Sequence, residues 1–147
     1  MTLLYADTSA VVRAYLRYEP DHAELRKLLL DGPDPIMTSE LTRVEFTSAV
    51  AARARARKVR NYQALIELFD ADCGVNGSIN LLRLNNAAVL PMARRLVTEH
   101  PLRTLDAIHL AVALTNETAI ATGEPMVLVT RDRQQAAVAK ELGMPVR

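Results

Sequence analysis

Leu3-Leu4-Tyr5-Ala6-Asp7-Thr8-Ser9 is an apolar run that stops on a carboxylate, and Ala10, Val11, Ala14 and Tyr15 then continue at helical spacing. Met126-Val127-Leu128-Val129-Thr130-Arg131-Asp132 repeats the same grammar near the other end of the chain. A strand that ends on an acid and turns into a helix is the unit of an α/β fold. In an open parallel sheet, ligands bind in the crevice beyond the carboxyl ends of the strands, so Asp7 and Asp132 are expected at one edge.

Between these two units the pattern keeps alternating, which predicts a central, mostly parallel sheet with helices on both faces, an α/β/α sandwich. Pro20-Asp21 opens a helix with the stripe Leu25, Leu28 and Leu29, and Gly32-Pro33-Asp34-Pro35 ends it. Ile36-Met37 reads as a clipped strand, and Thr38-Ser39 leads into a long helix to about Arg57 with Leu41, Val44, Ala49 and Ala52 as its core face. A helix from about Asn61 sets Tyr62, Leu65, Ile66 and Phe69 on one side. Ile79 to Leu84 reads as a strand, and Asn85-Asn86 begins a helix that Pro91 should kink or delay. His100-Pro101 breaks the chain before a helix from Thr104 to about Ala121. A last helix runs from Asp132 to Leu142 with Gly143 as its stop, and Pro145-Val146 suits an edge strand.

Composition bounds the rest. A chain of 147 residues, half of them hydrophobic, suits one domain over 1–147 with a packed core. The formal net charge of +1 gives no global attraction to nucleic acid, although local patches still count. A lone Cys73 excludes an intrachain disulfide framework and suits a reducing compartment. The first residues lack a basic region before their short apolar run, and the later apolar runs break too early to span a bilayer. The expectation is a cytoplasmic protein with no membrane partner.

Four carboxylates, Asp7, Glu45, Asp106 and Asp132, are the candidate site. Each alone has a structural use. Asp7 and Asp132 suit N-caps, Glu45 completes Thr42-x-x-Glu45 in the form of a capping box, and Asp106 falls in the first turn of its helix, where the dipole favours an anion. Together they say more. Glu45 stands in an apolar stripe between Leu41 and Ala49, and Asp106 is embedded in Leu105-Asp106-Ala107-Ile108-His109-Leu110-Ala111. Buried carboxylates need a partner, and a divalent cation is one. An all-oxygen donor set points to Mg²⁺ or Mn²⁺.

The segments Asp7-Thr8-Ser9-Ala10, Ser39-Glu40-Leu41-Thr42-Arg43-Val44-Glu45, Leu102-Arg103-Thr104-Leu105-Asp106-Ala107-Ile108-His109-Leu110-Ala111 and Thr130-Arg131-Asp132 together resemble a PIN-domain ribonuclease. The likeness is to the VapC-type toxins of toxin–antitoxin pairs, and it covers nearly the whole chain. It implies a PIN-like fold and a metal-dependent endoribonuclease that hydrolyses RNA through metal-activated water and so inhibits translation or growth. Asp7, Glu45 and Asp106 match the core metal-site acids, and Asp132 matches a more variable fourth. Thr130, with Thr8 or Ser9, matches supporting hydroxyls. The resemblance also implies a VapB-type antitoxin that blocks the acidic pocket, and a homodimer. Gln135 departs from the pattern, where an apolar residue is expected.

Other residues read more plainly. His109 suits a structural hydrogen bond. Arg43 and Arg103 suit either phosphate contact, neutralisation of the pocket or salt bridges. Arg53, Arg55, Arg57, Lys58 and Arg60 suit a solvated helix end or an RNA-binding patch. A haloacid-dehalogenase-type phosphatase needs a second acid where Ser9 stands, and a receiver domain needs paired acids near the first strand with a late Lys. A PIN-like RNA-binding or regulatory module with weak or no cleavage is the remaining alternative.

Overall fold

A computed structural model describes residues 2–117, 123 and 125–147. Strands β1 (Leu3–Ala6), β2 (Ile36–Ser39), β3 (Ile79–Leu82) and β4 (Met126–Val129) form a parallel sheet in the order β3-β2-β1-β4. The helices are α1 (Thr8–Tyr15), α2 (His22–Leu29), α3 (Leu41–Arg55), α4 (Tyr62–Asp72), α5 (Asn86–Glu99), α6 (Thr104–Glu117) and α7 (Arg133–Glu141). The predicted sandwich is what forms, with β1 central between β2 and β4.

Strand alternation sorts the core into two halves. Leu4, Ala6, Val127 and Val129 face one side with α1 to α4, whereas Tyr5, Met126 and Leu128 face the other with α5 to α7. Both faces of β1 and β4 are covered, so these two strands read as continuous apolar runs and not as an alternation with polar residues. Tyr15, Phe46 and Phe69 form an aromatic cluster with ring centroids 4.4 to 5.4 Å apart. Truncating either Phe to Ala costs about 3–5 kcal/mol.

That cluster also sets the phase of α3. Its buried residues are Thr42, Phe46 and Val50, and Val44 is 69% exposed. The expected face of Leu41, Val44, Ala49 and Ala52 is therefore rotated: packing of the large Phe46 outweighs the count of smaller apolar residues. Pro91 lies inside α5 without ending it. Ala87, whose carbonyl loses the bond that Pro91 cannot donate, is exposed to water.

The described part of α6 ends at Glu117, so the expected extension to Ala121 lies outside the described residues. Gly143, at φ +84°, closes α7: the Gly143 N–H donates to the Lys140 carbonyl and that of Met144 to the Ala139 carbonyl, the paired bonds of a Schellman motif. Pro145-Val146 does lie beside β4, as a single parallel bridge from Val146 to Leu128. No helix among the described residues is long and apolar enough to cross a membrane.

Candidate active site

All four acids line one cleft of about 320 Å³ at the carboxyl edge of the sheet. Asp7 follows β1 and caps α1; Asp132 follows β4 and caps α7. Glu45 comes from the second turn of α3 and Asp106 from the first turn of α6. Thr8, Ser9 and Arg103 share the lining.

Asp7 is the most enclosed, at 3% exposure. Its Oδ1 accepts from the Ser9 hydroxyl at 2.7 Å and the Ala10 N–H at 3.1 Å, and its Oδ2 accepts from Thr130 Oγ1 at 2.9 Å. Burial nevertheless pushes its pKa above the ordinary carboxylate value, against the pull of those donors and of His109. Thr130 Oγ1 also reaches Gln135 Oε1 at 2.8 Å, and Gln135 Nε2 donates to the Asp106 carbonyl at 3.1 Å. Gln135 is fully buried. The polar residue that departs from the expected apolar packing is thus a tie between β4, α7 and the start of α6.

Glu45 is held from the opposite side. His109 Nε2 lies 2.5 Å from its Oε1, and the Thr8 hydroxyl donates to the same oxygen at 2.8 Å. A carboxylate only accepts, so Nε2 carries the hydrogen, and Nδ1 lies 2.9 Å from the Tyr5 hydroxyl. Tyr5 stays protonated: burial, then the charges of Asp7 and Glu45, push its pKa well up. Burial alone would raise Glu45, but the His109 bond and charge together with Thr8 outweigh it and hold its pKa below the usual value. His109 is thus a structural histidine, as its sequence context suggests, and the residue it positions is a site acid. Thr42 lies inside α3 and forms no capping box, and with Thr38 it extends the hydroxyl chain: Thr38 Oγ1 donates to the Ala6 carbonyl at 2.6 Å and lies 2.8 Å from Thr42 Oγ1.

Arg103 spans the other two acids, its Nε 3.1 Å from Asp106 Oδ2 and an Nη 3.0 Å from Asp132 Oδ2. Burial first, and then the charge of Asp132, raise the Asp106 pKa, with Arg103 opposing both. Arg43 does not join the site. It lies one residue round the helix from Thr42 and pairs instead with Asp70 at 2.8 Å on the exposed flank of α3 and α4, so the salt-bridge reading holds for it. Arg131, another residue that sequence reasoning missed, clamps α2 through Asp21 and Glu24, each at 3.1 Å.

Among the described residues, no three His, Cys, Asp or Glu side chains are gathered as they stand into a metal-holding group. Each acid is engaged by protein donors. In kind, the donor set fits a hard divalent cation: all the acids are carboxylates, and the Asp106–Asp132 repulsion is one that a cation relieves.

A profile described as PIN domain matches residues 4–141. Ribonuclease VapC46 of Mycobacterium tuberculosis is 34% identical over 146 residues, covering 99% of this chain and 97% of that protein. Among solved structures, M. tuberculosis VapC20, described as a sarcin-ricin loop cleaving toxin, superposes with a TM-score of 0.66 at 17% identity, covering 92% of this chain and 94% of that one. VapBC2 of Rickettsia felis, bound to a DNA fragment from its promoter, superposes with a TM-score of 0.61 at 12% identity over 99% and 98% of the two chains. At those identities the two structures speak for the fold. With the family profile spanning most of the sequence and a full-length relative above 30% identity, the chain belongs to the PIN domain family, among its VapC-type members.

Proposed function

We propose that this cleft hydrolyses RNA phosphodiester bonds with the help of Mg²⁺ or Mn²⁺, and that the protein is the toxin of a pair whose partner is a VapB-type antitoxin. The observation that carries the reading is the meeting of Asp7, Glu45, Asp106 and Asp132, from four separate segments, in one cleft. The relative at 34% identity is named a ribonuclease, and solved neighbours include a toxin–antitoxin complex from Klebsiella pneumoniae and VapBC-1 from Haemophilus influenzae.

Asp7 and Asp106 would be the principal ligands, completed by Asp132 and Glu45. When bound, such a cation lowers the pKa of water and stabilises charge on the scissile phosphate. The chain supplies the rest. Ser9 and Thr130 fix the Asp7 carboxylate, and His109 with Thr8 keeps Glu45 ionised and able to accept a proton from the attacking water. Arg103 is exposed enough to turn from Asp106 and Asp132 to a phosphate.

The purified chain should cleave RNA with Mg²⁺ or Mn²⁺, stop on chelation, and leave 5′-phosphate and 3′-hydroxyl ends. Asp7→Asn and Asp106→Asn should abolish cleavage. Recovery of 2′,3′-cyclic phosphate would refute the mechanism, since it requires the RNA's own 2′-hydroxyl as nucleophile. RNA binding with no cleavage under any metal condition would assign the regulatory role instead.

A further inference from the structure

A second groove, of about 760 Å³, opens beside the acidic cleft and is lined by Arg17, Arg53, Arg57, Lys58 and Arg60 with a single carboxylate, Glu19. The two depressions adjoin, since Arg53 and Glu19 line both and pair with each other at the boundary. With Glu19 committed to Arg53, none of Arg17, Arg57, Lys58 and Arg60 has an acidic partner within salt-bridge distance among the described residues. The helix dipole accounts for Arg53 and Arg55, in the last turn of α3, but not for Arg57, Lys58 and Arg60 beyond it. Arg57 itself adopts φ +57°, a left-handed conformation that a non-glycine residue rarely takes. Tyr18 stands 86% exposed at the rim, with the Arg17 guanidinium 6.0 Å from its ring centroid.

Unpaired cations beside an exposed aromatic ring suit a polymer that carries phosphates and unpaired bases. We propose that this groove is the track by which single-stranded RNA reaches the acidic cleft, with Arg17, Arg57, Lys58 and Arg60 on its phosphates and Tyr18 stacked on an unpaired base. The inference rests on the ribonuclease reading and adds to it where the RNA lies and why a single strand is preferred.

The test is binding of a labelled single-stranded RNA oligonucleotide of mixed sequence to the full chain in EDTA, followed by fluorescence anisotropy across a salt series. Removing one phosphate-binding cation should flatten the plot of log affinity against log salt by roughly 0.7, so Lys58→Ala/Arg60→Ala should lower the slope by about 1.4. Tyr18→Ala should weaken binding roughly five- to a hundredfold with its salt slope kept, while Tyr18→Phe keeps both affinity and slope. A duplex of the same sequence should be indifferent to Tyr18. Tyr18, Lys58 and Arg60 are all exposed, and circular dichroism checks each variant's fold. If the wild type cleaves RNA with Mn²⁺ yet neither the double variant nor Tyr18→Ala changes affinity or slope, the groove proposal fails and the nuclease stands. A wild type that binds through the groove but never cleaves overturns the nuclease and leaves the groove. Loss of antitoxin binding by the same variants, with RNA affinity untouched, would overturn the RNA assignment in favour of a protein partner.

Discussion

Asp7 and Glu45 share a cleft but are held in opposite ways, and their pH signatures should differ in sign. The pKa of Asp7 is raised in the fold from its ordinary 3.8. At pH below 3.8 the carboxyl is protonated in both states and costs nothing; the penalty grows as pH rises through the raised value and is full above it. Asp7→Asn should therefore match the wild type in acid and exceed it in stability at neutral pH, in metal-free buffer. The network permits the exchange. Asn Oδ1 keeps the bonds from Ser9 and Ala10, and Asn Nδ2 can donate to Thr130 Oγ1, whose own hydrogen then goes to Gln135 Oε1 at 2.8 Å.

Asp7→Ala has no such route. It loses the cap, about 1 kcal/mol, and takes the near acceptor from the Ser9 hydroxyl, leaving it a 3.5 Å contact to Thr130, for a further ~1 kcal/mol. In a chain of this size a gap of roughly 2 kcal/mol between the Ala and Asn variants is about 4–8 °C in Tm. Thermal melts of all three proteins in EDTA, at acid and neutral pH, measure it. If Asn melts as low as Ala at neutral pH, the carboxylate is a paired structural charge and the reasoning is wrong.

Glu45, held low by His109 and Thr8 against its burial, should stabilise the protein above its ordinary pKa of 4.5 and lose that contribution as pH falls through the depressed value. The stability gap between wild type and Glu45→Gln in urea melts should thus close in acid, and a gap that widens there would contradict the His109 pairing. Thr8→Val removes one of the Glu45 donors and should shift the acid limb of the cleavage rate to higher pH; an unmoved limb would exclude Glu45 as the proton acceptor. Arg103→Ala uncovers Asp106 and Asp132 together, so calorimetric titration should show tighter Mn²⁺ binding alongside slower cleavage, and weaker Mn²⁺ binding would mean that Arg103 does not compete for those oxygens. Gln135→Leu removes the contact to Thr130 and the donor to the Asp106 carbonyl, with an expected cost of about 1–3 kcal/mol in chemical denaturation; a neutral result would return that position to the apolar packing expected of it.

The order of elements was legible because strand ends, helix caps and turn residues are local signals. The acids were legible because three of them stand at those ends and Glu45 interrupts an apolar stripe. The phase of α3 was not, since it depends on Phe46 meeting Tyr15 and Phe69 from two other helices. The bond from Tyr5 to His109 spans 104 positions and that from His109 to Glu45 spans 64, so no window along the chain contains either. Arg43 shows the same limit in reverse: its neighbours in sequence point to the cleft, while its helical phase turns it to Asp70.

Asp7 and Asp132 cap helices and line the cleft at once, so a capping role and a place in the proposed site are compatible at these positions. A parallel sheet delivers every strand end to one edge, and the helices that follow must start there. Each start needs an acceptor for its free N–H groups and favours negative charge. In both residues one oxygen meets that need: Asp7 Oδ1 takes the Ala10 N–H, and Asp132 Oδ1 takes that of Gln135 at 2.8 Å. The other oxygen accepts from the buried Thr130 hydroxyl in Asp7 and meets Arg103 in Asp132. The fold therefore pins Asp7 through both oxygens, whereas Asp132 keeps one oxygen behind an exposed arginine. Asp106 and Glu45 have no such anchor. Asp106 leans on Arg103, and Glu45 on His109 and Thr8, so the approach of α6 to the sheet edge sets where these two carboxylates lie in the cleft.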